Sequence, residues 1–175
     1  MLSGLDIELV DTSAVDGIGE IEEDAPTLEG NATKKARAFH EWTGLPAIAD
    51  DTGLEVEALS GRPGVRSARY AGDGCSPADN RALLLSELSG QKNRAARFRT
   101  VLALATNDGV EFFDGVCSGR ITATERGTGG FGYDVIFVPD GYDRTFAELS
   151  RVEKNAISHR GRALRALFDH LRKHV

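Results

Sequence analysis

The chain has 175 residues, of which 41% are hydrophobic and 27% charged, and its formal net charge is −6. This length and composition predict a single globular domain over residues 1–175 with a sizeable core. An acidic chain without a long apolar run is expected to bind neither nucleic acid nor a membrane, and two cysteines without a secretory signal predict a cytoplasmic protein with reduced thiols.

The first part of the chain predicts a strand, an acidic loop and a helix. Residues 5–10 alternate weakly between apolar and polar side chains, which is typical of a strand, and residues 11–26 are acidic and loop-like. Thr27 is a suitable N-cap for a helix over residues 28–43, which Gly44 then ends.

Two adjacent carboxylates, Asp50 and Asp51, are the most informative feature of the sequence. They lie between predicted strands at residues 46–49 and 54–58, at the end of the first strand. Neighbouring oxygen ligands suit a hard cation such as Mg²⁺, with a phosphate substrate completing the shell. The alternative is that Asp51 is a turn residue that hydrogen-bonds its own backbone.

The second half of the chain alternates strands with capped helices, which predicts an α/β or α+β fold around one mixed sheet. Ser76, followed by Pro77, caps a predicted helix that ends at Leu88. Residues 107–109 (Asn-Asp-Gly) indicate a hairpin, and Ser158 precedes a helix whose apolar residues recur at helical spacing. Four strands are predicted at residues 96–105, 110–116, 119–125 and 135–138.

A glycine-rich segment at residues 127–134 is a candidate ligand-binding loop. Its glycines allow close approach to the backbone, and Phe131 offers a face on which a base can stack. The alternative is a flexible loop with Phe131 packed in the core. Residues 130–133 also resemble part of an RNA-binding motif, but Asp134 would repel phosphate, so we discount RNA binding.

A basic segment at residues 153–161 is a candidate site for keto or phosphate oxygens. Lys154 and Arg160 are hydrogen-bond donors, and His159 can serve as a donor or a stacking group. The alternative is a solvated basic helix face.

Together, these segments resemble the inosine triphosphate pyrophosphatase family. The resemblance implies an elongated mixed β-sheet flanked by helices, with two lobes and the active-site cleft between them. It further implies Mg²⁺ dependence, a homodimer, and hydrolysis of the purine nucleoside triphosphates ITP, dITP and XTP to monophosphate and pyrophosphate. The matching segments, which occur in the order that the family has them, are residues 45–54, 61–64, 67–70, 127–134 and 153–161.

The resemblance also implies roles for single residues. Asp51 would be the general base and a metal ligand, with Glu23 as the second metal carboxylate and Glu22 left open as its alternative. Asp50 would support the metal site or form local hydrogen bonds. Water would attack the α-phosphorus, and ATP would be rejected because its amino group cannot accept from donors meant for a 6-keto oxygen. The implied substrate-binding residues are Thr52, Phe131, Gly132, Tyr133, Asp134, Lys154, His159 and Arg160.

One departure from the family pattern leaves two hypotheses open. The family begins with a strand and a Thr-Gly-Asn-x-x-Lys segment that holds the triphosphate, and this segment does not occur in the chain. Either the protein extends upstream of Met1 and is an active enzyme, or it is a shortened homologue. A shortened homologue would act only as a nucleotide-binding or dimeric interaction module.

Overall fold

A five-stranded sheet with helices on both faces forms the part of the protein that the computed structural model describes, residues 7–11 and 17–174. Within these ranges the helices are α1 (Leu28–Thr43), α2 (Pro77–Glu87), α3 (Arg151–Ile157) and α4 (His159–His174). The strands are β1 (Ala47–Val56), β2 (Pro63–Gly64), β3 (Ala95–Thr106), β4 (Gly109–Ile121) and β5 (Phe137–Pro139). They lie in the order β2-β1-β3-β4-β5.

The helix boundaries confirm the predicted caps. The Thr27 hydroxyl accepts from the backbone N–H of Gly30 at 3.1 Å, and α1 ends at Gly44, whose φ of 70° is left-handed. At α2, Ser76 and Asp79 cap each other reciprocally. These local side-chain-to-backbone bonds satisfy amide groups that the helix itself leaves free, which is why the sequence signals predict them.

The Asp50-Asp51 pair lies within β1, so the prediction of two separate strands is wrong. All ten residues of β1 pair with β3, including Asp50 opposite Leu102 and Asp51 opposite Val101. Continuous pairing with a long partner strand overrides the turn signal of the two aspartates and the glycine that follows. Successive side chains of a strand point to opposite faces, so the two carboxylates lie on opposite sides of the sheet.

The predicted mixed sheet is antiparallel at every pairing between the described strands. The segment between β1 and β3 contains α2, but it leaves and returns at the same end of the sheet, as the pairing of Val56 with Ala96 shows. It therefore acts as a long hairpin connection and not as a crossover. Residues 7–10, predicted as part of a strand, belong to none, and residues 5 and 6 lie outside the described residues.

The hairpin signal at residues 107–109 is confirmed, because Thr106 pairs with Gly109 across a two-residue turn. The strand that follows is longer than expected. Residues 110–116 and 119–125 were predicted as two strands. Instead, β4 runs without interruption to Ile121, because residues 117 and 118, between the two predicted strands, also pair with β3.

Helices α1 and α4 cover opposite faces of the central strands. Leu28, Ala32 and Ala36 of α1 pack against Val101 and its same-face neighbours on β3. Side chains of α4 pack on the alternate β3 residues, in a cluster of Leu102, Leu104, Ala163 and Leu167. A larger cluster, which includes Phe98, Phe137 and Phe146, fills the other end of the sheet. None of the helices within residues 17–174 is long and apolar enough to cross a membrane.

Candidate active site

Asp51 lies on the α1 face of the sheet and is only 8% exposed. Its Oδ2 accepts from Asn31 Nδ2 at 3.0 Å, and its Oδ1 accepts from the backbone N–H of Thr52 at 2.9 Å. Burial raises the pKa of Asp51, and the Asn31 hydrogen bond and the charge of Lys35 oppose that rise only in part. A buried carboxylate with a raised pKa is better suited than an exposed one to take a proton from water.

Asn31 joins Asp51 to the acidic loop that precedes α1. Its Nδ2 donates to Asp51, and its Oδ1 accepts from the backbone N–H of Ala25 at 2.9 Å. The side chain is fully buried. The sequence analysis missed this residue; the available signal was an asparagine inside a helix, a poor helix former that its buried hydrogen bonds explain.

Glu23 is the acidic side chain whose charge acts on Asp51. The charge of Glu23 contributes to raising the pKa of Asp51, whereas the Glu22 side chain is exposed. Glu23 Oε1 lies 2.6 Å from Lys35 Nζ, and Arg69 donates to the Glu23 carbonyl. The loop carrying Glu23 is thus held from two sides.

The carboxylates of Asp51 and Glu23 fit a magnesium site that phosphate oxygens would complete. Within residues 7–11 and 17–174 there is no cluster of three or more His, Cys, Asp or Glu side chains that could hold a metal. Mg²⁺ usually takes one or two carboxylates and fills its remaining positions with water and phosphate. Asp51 and Glu23 supply that number; the pKa of Asp51 is raised by burial first and to a smaller extent by the charge of Glu23.

Asp50 lies on the other face of the sheet, where its contacts differ from those of Asp51. Its Oδ2 accepts from Arg160 Nη2 at 2.8 Å and Nε at 3.2 Å. It also accepts from the Thr52 hydroxyl at 3.3 Å. Of the two roles expected for Asp50, the structure shows hydrogen bonding.

A cavity of ≈ 790 Å³ opens on this second face, and all eight predicted substrate-binding residues line it. Its volume lies within the usual range for small-molecule sites. Asp51 is not among the lining residues. The structure therefore brings the eight residues together and places the predicted catalytic carboxylate on the opposite side of β1. The eight are Thr52, Phe131, Gly132, Tyr133, Asp134, Lys154, His159 and Arg160.

The glycine-rich loop holds Phe131 away from the core, so the core-packed alternative is wrong. Asp134 is buried and accepts from the backbone N–H of Phe131 at 2.8 Å, while the Tyr133 hydroxyl donates to the Ser67 carbonyl at 3.0 Å. A Cβ on Gly130, whose φ is +71°, would lie 2.0 Å from Asp134 Oδ2. These anchors leave Phe131 68% exposed at the cavity.

Two cations flank the Phe131 ring. Lys154 Nζ lies 5.2 Å from the ring centroid, and Arg160 Cζ lies 6.0 Å from it. Lys154 is also paired with Asp134 at 2.5 Å. An aromatic face bordered by donors can bind a base that carries acceptor oxygens.

His159 forms part of the cavity wall as a buried neutral imidazole. It is 6% exposed and stacks on Phe98, with ring centroids 4.6 Å apart. Burial, and then the charges of Arg160 and Lys154, lower the pKa of His159 to about 3. Its Nδ1 is buried and has no hydrogen-bond partner among the described residues.

This buried imidazole is expected to make the protein less stable in acid. The pKa of His159 is about 3 in the folded protein against 6.5 ordinarily, so between these values the unfolded chain binds a proton that the folded protein does not. Stability therefore falls as the pH falls through this window. Between pH 7 and pH 5, urea unfolding should show a loss about 2 kcal/mol larger for the wild type than for His159→Phe. Identical losses would show that His159 does not titrate in this way.

Arg81 of α2 is a further residue that the sequence analysis missed. Its Nη1 donates to the Gly132 carbonyl at 3.0 Å, and its Nε lies 2.6 Å from Glu125 Oε1. It therefore ties the glycine-rich loop to α2. No sequence signal could have identified it, because its partners are distant in the chain.

The comparisons with known proteins agree with this geometry. The sequence profile of the Ham1 family matches residues 1–170. A dITP/XTP pyrophosphatase from Geobacter sulfurreducens is 48% identical, over 98% of this chain and 87% of that protein. A dITP/XTP pyrophosphatase from Flavobacterium psychrophilum is also 48% identical, over 93% of this chain and 86% of that protein.

Solved structures show the same similarity. A HAM1 protein from Coxiella burnetii is 41% identical and superimposes with a TM-score of 0.92, covering 98% of this chain and 89% of that one. The Ham1 protein of Staphylococcus aureus is 38% identical with a TM-score of 0.90, covering 96% of this chain and 88% of that one.

Proposed function

Because the chain belongs to the Ham1 family, we propose that it hydrolyses the deaminated purine nucleotides dITP, XTP and ITP to the monophosphate and pyrophosphate. The observation that carries the proposal is the cavity in which all eight predicted substrate residues meet. Relatives at 48% identity over most of the chain are dITP/XTP pyrophosphatases, which supports the same activity here. The role of such an enzyme is to remove damaged nucleotides from the pool.

The donors around the cavity would select the purine. We propose that the base stacks on Phe131 and that its 6-keto oxygen accepts from Lys154 or Arg160, which carry donors only. The His159 ring forms part of the cavity wall beside these donors. An adenine amino group at the same place would offer these donors no acceptor, and this kind of mismatch gives strong discrimination.

Asp51 would provide the chemistry from the other side of β1. We propose that its carboxylate takes a proton from the attacking water, whose oxygen bonds to the α-phosphorus as pyrophosphate leaves. Asn31 and the Thr52 amide fix the orientation of the carboxylate. Mg²⁺ held by Asp51 and Glu23 would neutralise charge on the phosphates when bound. The substrate would therefore reach across β1, with its base on the α4 face and its phosphates towards the α1 face.

We also propose that residues 1–175 form one elongated domain with two lobes, and that the protein is a cytoplasmic homodimer. The separation of the apolar core into a large cluster at one end of the sheet and two smaller ones supports the shape. Exposed apolar side chains, among them Leu45 and Phe112, could be covered in a dimer. Cys75 and Cys117 are both free thiols, as in a reducing compartment.

The test is product analysis of dITP hydrolysis in H₂¹⁸O with Mg²⁺. Phosphorus NMR is expected to show dIMP and pyrophosphate, with the ¹⁸O in dIMP because water attacks the α-phosphorus. Release of dIDP and orthophosphate, or label in pyrophosphate, would contradict the proposal.

A further inference from the structure

The contacts of Arg160 raise the question of what holds its guanidinium at the cavity. Arg160 lies in the first turn of α4, and its side chain is 44% exposed. A long side chain this accessible to water samples many rotamers unless a partner restricts it. Here Asp50 Oδ2 accepts from both Nη2 and Nε of the same guanidinium, at 2.8 and 3.2 Å. Asp50 therefore restricts both the position and the orientation of the group.

Asp50 is itself held in place by the sheet. The Thr52 hydroxyl donates to Asp50 Oδ2 at 3.3 Å and lies 2.7 Å from the Thr100 hydroxyl on β3. The two hydroxyls hydrogen-bond each other, and either can be the donor. Thr100 is fully buried, so this chain of hydroxyls connects Asp50 to a rigid point of the sheet.

The two cations beside Phe131 are each matched by a different acid. Lys154 is paired with Asp134, and Arg160 is paired with Asp50. Both cations lie within 6.0 Å of the same ring centroid, so they repel each other in the absence of these acids. Without Asp50, the guanidinium would be free to move away from the ring and from Lys154.

We propose that Asp50 is a positioning residue for purine selectivity, acting through Arg160 and not through the metal or the attacking water. This inference rests on the proposed function and extends it by dividing the work of the adjacent aspartates. Asp51 serves the phosphate chemistry on one face of β1, and Asp50 holds Arg160 for recognition of the base on the other.

The first test measures kcat/KM for dITP and for dATP in the wild type and in Asp50→Asn. In Asp50→Asn the Arg160 side chain is no longer ordered, so binding dITP must include the cost of ordering it. The ratio of kcat/KM for dITP to that for dATP is therefore expected to fall about tenfold, mainly through a higher KM for dITP. Asp50→Glu, which keeps the charge, is expected to recover part of the ratio. The control is Glu55→Gln, another β1 acid paired with an arginine, Arg97, at 2.6 Å but outside this cavity. It should keep the wild-type ratio.

A double-mutant comparison tests the route through Arg160. If Asp50 acts only by positioning Arg160, the double variant Asp50→Asn/Arg160→Gln should have the same dITP/dATP ratio as Arg160→Gln alone. Independent, multiplying losses would overturn the inference. Both proteins in this comparison carry Arg160→Gln and differ only at residue 50. The melting temperature of each variant is measured to check that it is folded.

The outcomes separate this inference from the proposed function. A wild type that hydrolyses dATP as well as dITP contradicts the proposed selectivity itself. A wild type that prefers dITP, together with Asp50→Asn at the same ratio, overturns only the role of Asp50. A fall in kcat for both nucleotides with an unchanged ratio also overturns it, because that pattern would place Asp50 in the chemical step.

Discussion

Asp51→Asn is expected to lower kcat for dITP by about 10²-fold or more, because removal of a positioned general base has effects of that size. Asparagine has the same shape, but its single amide oxygen can accept from only one of the two donors, Asn31 Nδ2 and the Thr52 N–H. The variant should therefore fold with a moderate loss of stability, about 1–3 kcal/mol. Steady-state pyrophosphate release and thermal unfolding, measured on the same preparation, separate the loss of chemistry from a loss of structure.

The matched control for this variant is Asp114→Asn. Asp114 also lies on a strand of the same sheet and accepts from Arg99 at 2.8 Å, but it is outside the cavity. Its kcat should stay close to that of the wild type. If Asp51→Asn retained the activity of this control, Asp51 could not be the base.

Gly115→Ala is expected to have the largest effect on stability. Helix α4 crosses β4 at Gly115, where an added Cβ would lie 2.0 Å from the His159 carbonyl oxygen and 2.5 Å from the Ala163 nitrogen. Both atoms belong to the helix backbone and cannot rotate away. We expect a loss of about 3 kcal/mol in the free energy of unfolding, and a melting temperature lower by about 10 °C. Activity should also fall, because α4 begins with His159 and Arg160.

Gly19→Ala is the control for this prediction. No heavy atom lies within 4 Å of the Cβ that alanine would add there, so its melting temperature should match the wild type. Urea unfolding of the two variants gives the comparison. A Gly115→Ala protein as stable as Gly19→Ala would mean that α4 does not pack on β4 as closely as described.

Sequence signals predicted those features that depend on residues close together in the chain. The caps at Thr27 and Ser76 and the hairpin after Thr106 follow from local hydrogen bonds and turn geometry. Eight of the residues that line the cavity were also found, since their segments resemble a known family and each has a distinctive composition.

Features that depend on distant residues were missed. The continuity of β1 through Asp50 and Asp51 arises from pairing with β3, which is separated from β1 by the whole of α2. The placement of the aspartates on opposite faces follows from that continuity. Asn31 and Arg81 act through partners on other elements, so their surroundings become visible only in the folded protein.

The ratio of kcat/KM for dITP to that for dATP, measured with the wild-type protein and Mg²⁺, tests the proposed function most directly. If Lys154, His159 and Arg160 recognise the 6-keto purine, dITP should be preferred by about 10²-fold or more, because the adenine amino group offers these side chains no acceptor oxygen. Equal values for the two nucleotides would contradict the account, since a cavity built in this way could not treat them alike.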